Sequence, residues 1–213
     1  MQLSPGRFNA FLRGIGQQFM WRRSFVCPNV NPASGAHIPN CQVCGNKPGI
    51  LWNDEVQGVA GMTSKVSRRV VAQVGIWEPG DAILTIGSDS PLYAMGKFDR
   101  VRMLNSTVPF SLILIRGQND RLPFKVVSFA RAFWVTGQSP SQTLVEGGLP
   151  TVDDSGNLTW ASNGPPNGQS YSLTGVKFDE HFCFQDLPSD RAEHSGAALP
   201  KRVHLRKFDL FSR

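Results

Sequence analysis

The sequence predicts a mainly β protein, a small barrel or sandwich carrying an N-terminal amphipathic helix, a zinc-knuckle loop and an extended C-terminal arm. Three observations carry that prediction. Glycine and proline are abundant, 21 and 15 of 213 residues, and only 18% of residues are charged, a balance that suits loop-rich sheet proteins better than helical bundles. From Val66 onward, short apolar runs alternate with turn residues. Finally, three of the four cysteines fall within residues 27–44. A secreted disulfide framework would spread its pairs along the chain, so this clustering predicts folding in a reducing compartment and local metal chemistry.

Ser4 followed by Pro5 is a helix-start signal, and Phe8, Phe11, Leu12, Ile15, Phe19 and Met20 recur at helical spacing. The spacing predicts a basic amphipathic helix, with Arg7, Arg13, Arg22 and Arg23 mostly off its apolar stripe. That stripe needs cover, either from the protein's own core or from a partner. Gly14 and Gly16 each cost roughly 1 kcal/mol of helix stability, which weighs against a helix lying on a membrane surface. No stretch reaches the roughly 20 apolar residues of a membrane span.

Farther along, "VVAQVGIW", the turn Glu78-Pro79-Gly80-Asp81 and "AILTI" read as strand, turn, strand. "RVRML", "FSLILIR" and "LPFKVVSFARAFWV" add three more strands, enough for a small closed sheet. "LPTV" and "LTWA" flank Asp153-Asp154-Ser155-Gly156-Asn157 as a hairpin, while "SYSLTGVKF" and "HFCFQDL" read as a second strand pair. The closing "LPKRVHLRKFDLFSR" reads as an edge strand or extended arm. These runs divide the chain into residues 1–52 (helix and cysteine-rich loop), 53–135 (β core) and 136–213 (loop-rich β extension and arm). Both termini are expected to lie outside the core.

Cys41-x-x-Cys44 is a knuckle, whose two-residue spacing lets both sulfurs reach one ion at about 2.3 Å. Cys27 and His37 would complete a tetrahedral, structural zinc site, with Gly45 and Gly49 relieving the turn. The alternative leaves Cys27 a buried thiol, His37 a loop residue and the knuckle empty. A catalytic zinc needs an open position and a general base, and Glu55 is the one glutamate nearby. Nucleotide-loop, dinucleotide, zinc-protease and hydrolase-elbow motifs are missing, and "GQSPS" at residues 137–141 lacks the final glycine of the elbow. The acidic pairs Asp153-Asp154 and Asp179-Glu180 sit beside turn signals, where solvated carboxylates are expected. The sequence therefore predicts a protein that is not an enzyme.

Net charge is +6, and residues 1–75 carry eight Lys/Arg against only Asp54 and Glu55. That asymmetry suits an acidic partner or nucleic acid, with Arg7, Arg13, Arg22, Arg23, Lys65, Arg68 and Arg69 as the candidate contacts. On a nucleic-acid reading, Arg22, Arg23, Lys65, Arg68 and Arg69 would contact phosphates around the zinc loop, with Phe19, Trp21 and Phe25 stacking on bases.

The runs "FVCPNVNPASGAHIPNCQVCG", "SPLYAMGKFDRVRMLNSTVPFSLILIRGQNDRLPF" and "GAALPKRVHLRKFDLFSR" resemble a group of tailed-bacteriophage structural proteins encoded among head and neck genes. That group opens the loop with Cys-Pro-Cys before a second Cys-x-x-Cys, which implies four thiolates. Here Asn29 occupies the place of the second cysteine, which makes His37 the natural substitute. The resemblance implies a head-to-tail connector of the adaptor, stopper or collar kind. It would form a ring of its own copies in the virion, contact the portal and other neck or tail proteins, and surround DNA without reading its sequence. Assembly would take place in the host cytoplasm. The second reading is a zinc-loop nucleic-acid-binding protein.

Overall fold

Gly16 ends the helix early. In the computed structural model, which describes residues 4–38, 41, 43–44, 49–63, 80–118, 120–187 and 192–210, helix α1 spans Pro5–Ile15. The next stretch, expected to continue that helix, is strand β1, Gln17–Arg22. Gly16 is extended, and a Cβ there would lie 2.4 Å from the Leu12 carbonyl oxygen and 2.6 Å from Val59 Cγ1. Beyond it the burial pattern has period two: Phe19 and Trp21 point inward, Met20 and Arg22 do not. Burying a side chain such as Phe19 contributes roughly 1.5–3 kcal/mol.

Among the described residues, strands β2 (Ser24–Val26), β3 (Ile50–Trp52), β4 (Val56–Thr63) and β5 (Ala82–Ile86) come next. They are followed by β6 (Arg100–Ile115), β7 (Val126–Thr136), β8 (Thr143–Glu146), β9 (Thr151–Val152) and β10 (Leu158–Thr159). The last are β11 (Ser170–Asp186), β12 (Glu193–His194), β13 (Ala197–Ala198) and β14 (Lys201–Lys207). The predicted strand "VVAQVGIW" lies outside the described residues.

The chain divides into two compact units, residues 1–105 with 180–213, and residues 106–179. This division cuts across the segments 1–52, 53–135 and 136–213, because β6 and β11 each run from one unit into the other. In the first unit six strands close a barrel in the order β14, β5, β4, β1, β6, β11, and β11 pairs back with β14. Its core holds Phe19, Leu84, Ile86, Leu92, Val101 and Leu205, among others. The expected C-terminal arm is therefore a barrel strand with a partner on each side: Val203 pairs with Leu84 of β5 and with Asp186 of β11. Val203 and Leu205 are fully buried, and that burial seats the segment in the core. Outside the barrel, Leu12 anchors α1 on β4, and Asn9 exchanges hydrogen bonds with Ser88 through both ends of its amide.

In the second unit the order is β6, β11, β7, β8. Tyr171, Leu173, Trp134, Phe110 and Leu114 fill its core. Two separate predicted strands, "RVRML" and "FSLILIR", form the single strand β6, and Pro109 between them does not break it. Pairing with β1 ends at Met103, so Pro109 lies beyond the last hydrogen-bonded partner on that side. "SYSLTGVKF" and "HFCFQDL" are likewise one strand, β11, bulged between Thr174 and Gly175. A Cβ on Gly175 would lie 2.4 Å from the Ser128 carbonyl oxygen. The predicted hairpin is present as β9 and β10, where Asp153 accepts hydrogen bonds from Asn157 N (2.8 Å) and Nδ2 (2.9 Å).

Candidate metal centre

The cysteine-rich loop hangs on a short antiparallel ribbon, β2 with β3. Asp99, itself buried, fixes the base of that ribbon. Its carboxylate accepts hydrogen bonds from Trp21 Nε1 (2.8 Å), Ser24 N (2.7 Å), Ser24 Oγ (2.8 Å) and Gly96 N (2.9 Å). Four donors satisfy most of what an ionised carboxylate can accept, so a charge that would be costly to bury is held in place. Trp52 Nε1 donates to the Phe98 carbonyl at 3.1 Å from the other strand. At the far end, Cys27 N donates to Gly49 O at 2.6 Å, which seats the first candidate ligand.

Residues 28–38 then form a tight hairpin-like loop. Asn31 N donates to Ala36 O and Gly35 N to Asn31 O, both at 2.8 Å, with Gly35 in the left-handed region at φ +66°. Val30 and His37 form an isolated bridge, and Ile38 N reaches Asn29 O at 3.3 Å. These contacts swing His37 back toward Cys27. The imidazole rests over Gly49, where φ is +70° and a Cβ would stand 3.0 Å from His37 Cδ2.

As a result the ligating atoms of Cys27, His37, Cys41 and Cys44 all lie within 4.8 Å of one another. Cys27 Sγ is 3.9 Å from Cys41 Sγ, and Cys44 Sγ is 3.0 Å from His37 Nε2. A tetrahedral zinc with sulfur ligands at about 2.3 Å would separate its sulfurs by roughly 3.8 Å, so the donor set fits such an ion. Gly49 sits where the sequence placed a relieving glycine; Gly45 lies outside the described residues.

The sulfurs are not equivalent. Cys41 is pulled down to about 6, first by the hydrogen bond that Asn29 donates and then by a backbone amide hydrogen bond at Cys44. Cys44 is pushed up to about 11, first by burial and then by the neighbouring Cys41 and Cys27 sulfurs. Thiolates crowded together favour a shared dication over separate charges.

The predicted basic contacts do not gather in the same way. Arg7 and Arg23 are exposed; Arg13 pairs with Asp89 at 3.3 Å. Arg22 Nε donates to Asn53 O at 2.9 Å and lies beside Arg100, so its guanidinium belongs to the barrel wall. Lys65, Arg68 and Arg69 lie outside the described residues. Phe19 and Trp21, candidates for base stacking, are buried inside the barrel, whereas Phe25 is exposed. Asp179 and Glu180 are not solvated turn carboxylates: both are buried in β11, and Glu180 pairs with Arg100.

One residue of the site carried no sequence signal of its own. Asp99 acts across 75 positions on Ser24, a separation no local pattern reveals. Asn29 donates its Nδ2 to Cys41 Sγ at 3.1 Å; its place two residues after Cys27 was the available clue. Fold and site together define a closed β-barrel with a cysteine–histidine cluster near its N-terminal region. No protein-family model and no curated protein sequence matches the chain.

Proposed function

We propose that this chain is a virion structural protein of a tailed bacteriophage, a ring-forming head-to-tail connector whose loop is held by a structural zinc. The observation that carries the reading is that the chain bears two unlike apolar surfaces. On α1, Phe8, Phe11 and Ile15 are exposed, and in the second unit Ile113, Val135 and Leu144 are exposed, with Val135 directly opposite Leu144 across β7 and β8. A ring built from heterologous contacts needs two different patches on each copy. Among the described residues, strand β8 ends its sheet, leaving an edge of the kind that neighbouring chains extend.

Zinc fits the same role. Four protein ligands leave no open coordination position, so a metal here orders the loop and does not activate water. Cys41→Ser would remove one ligand, and because binding free energy is also folding free energy, it would lower both metal content and melting temperature. The nucleic-acid reading has less support, since Arg13 and Arg22 are engaged within the chain and two of the three candidate stacking rings are core.

Mass photometry of the purified protein, alone and mixed with portal rings, tests the reading, with zinc measured on the same sample. The expected outcome is a closed multi-copy species or a stable portal complex, with about one zinc per chain. A monomer that ignores portals would refute the connector role.

A further inference from the structure

We propose that Asn29 is a positioning residue of the metal centre: its Nδ2–H, 3.1 Å from Cys41 Sγ, offsets the excess negative charge of a site with three thiolates and one imidazole. The inference rests on the metal reading of Cys27, His37, Cys41 and Cys44. Three thiolates around a dication carry a net charge of −1, while Cys27 and Cys41 are almost wholly buried. A buried excess charge is expensive unless hydrogen-bond donors spread it. Asn29 supplies such a donor from a side chain, in addition to the backbone amides of the knuckle.

The geometry also fixes which way the amide faces. Its oxygen would repel a thiolate, so only the rotamer with Nδ2 toward Cys41 is favourable. The backbone of Asn29 is held as well, since its carbonyl accepts from Ile38 N across the loop that delivers His37. Asn29 is thus connected to two of the four ligands, to Cys41 through its side chain and to the His37 arm through its main chain. Outer-sphere partners of this kind commonly change metal affinity by about 10–100-fold when removed.

The test compares full-length wild-type protein with Asn29→Ala, which removes the donor, and Asn29→Asp, which replaces it with a carboxylate of the same shape. Zinc affinity is measured by competition with a chelator. Cobalt substitution adds the thiolate-to-cobalt charge-transfer band, which reports on sulfur donation directly. The expected order of affinity is wild type, then Asn29→Ala at about 10-fold weaker, then Asn29→Asp weaker still, with a shifted charge-transfer band in both variants. A purely structural loop residue would weaken both variants equally and leave the band of the bound fraction unmoved; that result overturns the proposal. So does a pair of variants that bind as wild type, in which case the metal reading survives. Wild-type protein that binds neither ion removes both, which separates the two failures.

Discussion

His204 lies almost wholly buried on β14 beside Asp81, whose side chain has no exposure at all. The Asp81 carboxylate accepts from His204 Nε2 at 2.8 Å and from Arg206 Nη2 at 3.2 Å, so Arg206 already balances its charge. Burial therefore dominates, and it holds the imidazole below its ordinary value of 6.5 despite the pull of Asp81. The folded state then binds a proton less readily than the unfolded state. The stability linked to His204 is complete above pH 6.5 and is lost as pH falls through the depressed folded value. Thermal unfolding of wild type and His204→Gln across this range should show wild type losing more stability on acidification. Any effect of pH on the cysteine–histidine loop is common to both proteins and cancels in the comparison. Parallel pH profiles would show that His204 does not carry this linkage.

At the scale of elements, β1 and β14 are the segments whose removal decides whether a barrel exists. Deleting residues 1–15 takes away α1, whose anchors are Leu12 and the Asn9–Ser88 pair, and should cost about 2–4 kcal/mol while the barrel still melts cooperatively. Deleting residues 1–22 also removes β1, which pairs with β4 and β6, and should abolish the cooperative transition in circular dichroism. A folded, cooperative 23–213 fragment would show that closure does not need β1. The sequence left this boundary ambiguous for a physical reason: Ile15 and Phe19 are four residues apart, a spacing that fits both one helical turn and strand alternation. Only the inward pairing of Phe19 with Trp21 distinguishes the two. The C-terminal strand was legible as a strand, because Val203 and Leu205 alternate, but alternation does not tell how many neighbours a strand has. Its pairing with both β5 and β11 is long-range information. The candidate ligands were readable because they fall within residues 27–44, whereas Asp99, which holds their ribbon, acts from β6's threshold.

For the whole molecule, the formal charge of +6 will attract nucleic acid at low salt whatever the protein's role. Discrimination comes at physiological salt, because every phosphate that a basic side chain neutralises adds about −0.9 to the log-log slope of affinity against salt. A short duplex should form no complex tighter than about 10⁻⁴ to 10⁻⁶ M in fluorescence anisotropy under those conditions. Nanomolar, sequence-selective binding by a monomer would displace the connector reading in favour of the zinc-loop nucleic-acid binder.

Closure by β14 also sets an order of events during synthesis. His204 meets Asp81 across 123 positions of chain, so the free edge of β5 stays open on the ribosome until residues 201–207 have emerged. The candidate ligands Cys27, His37, Cys41 and Cys44 are all translated within residues 27–44. The nascent chain therefore carries the whole candidate donor set long before its barrel can close, and β5 waits for its second neighbour until the last strand arrives.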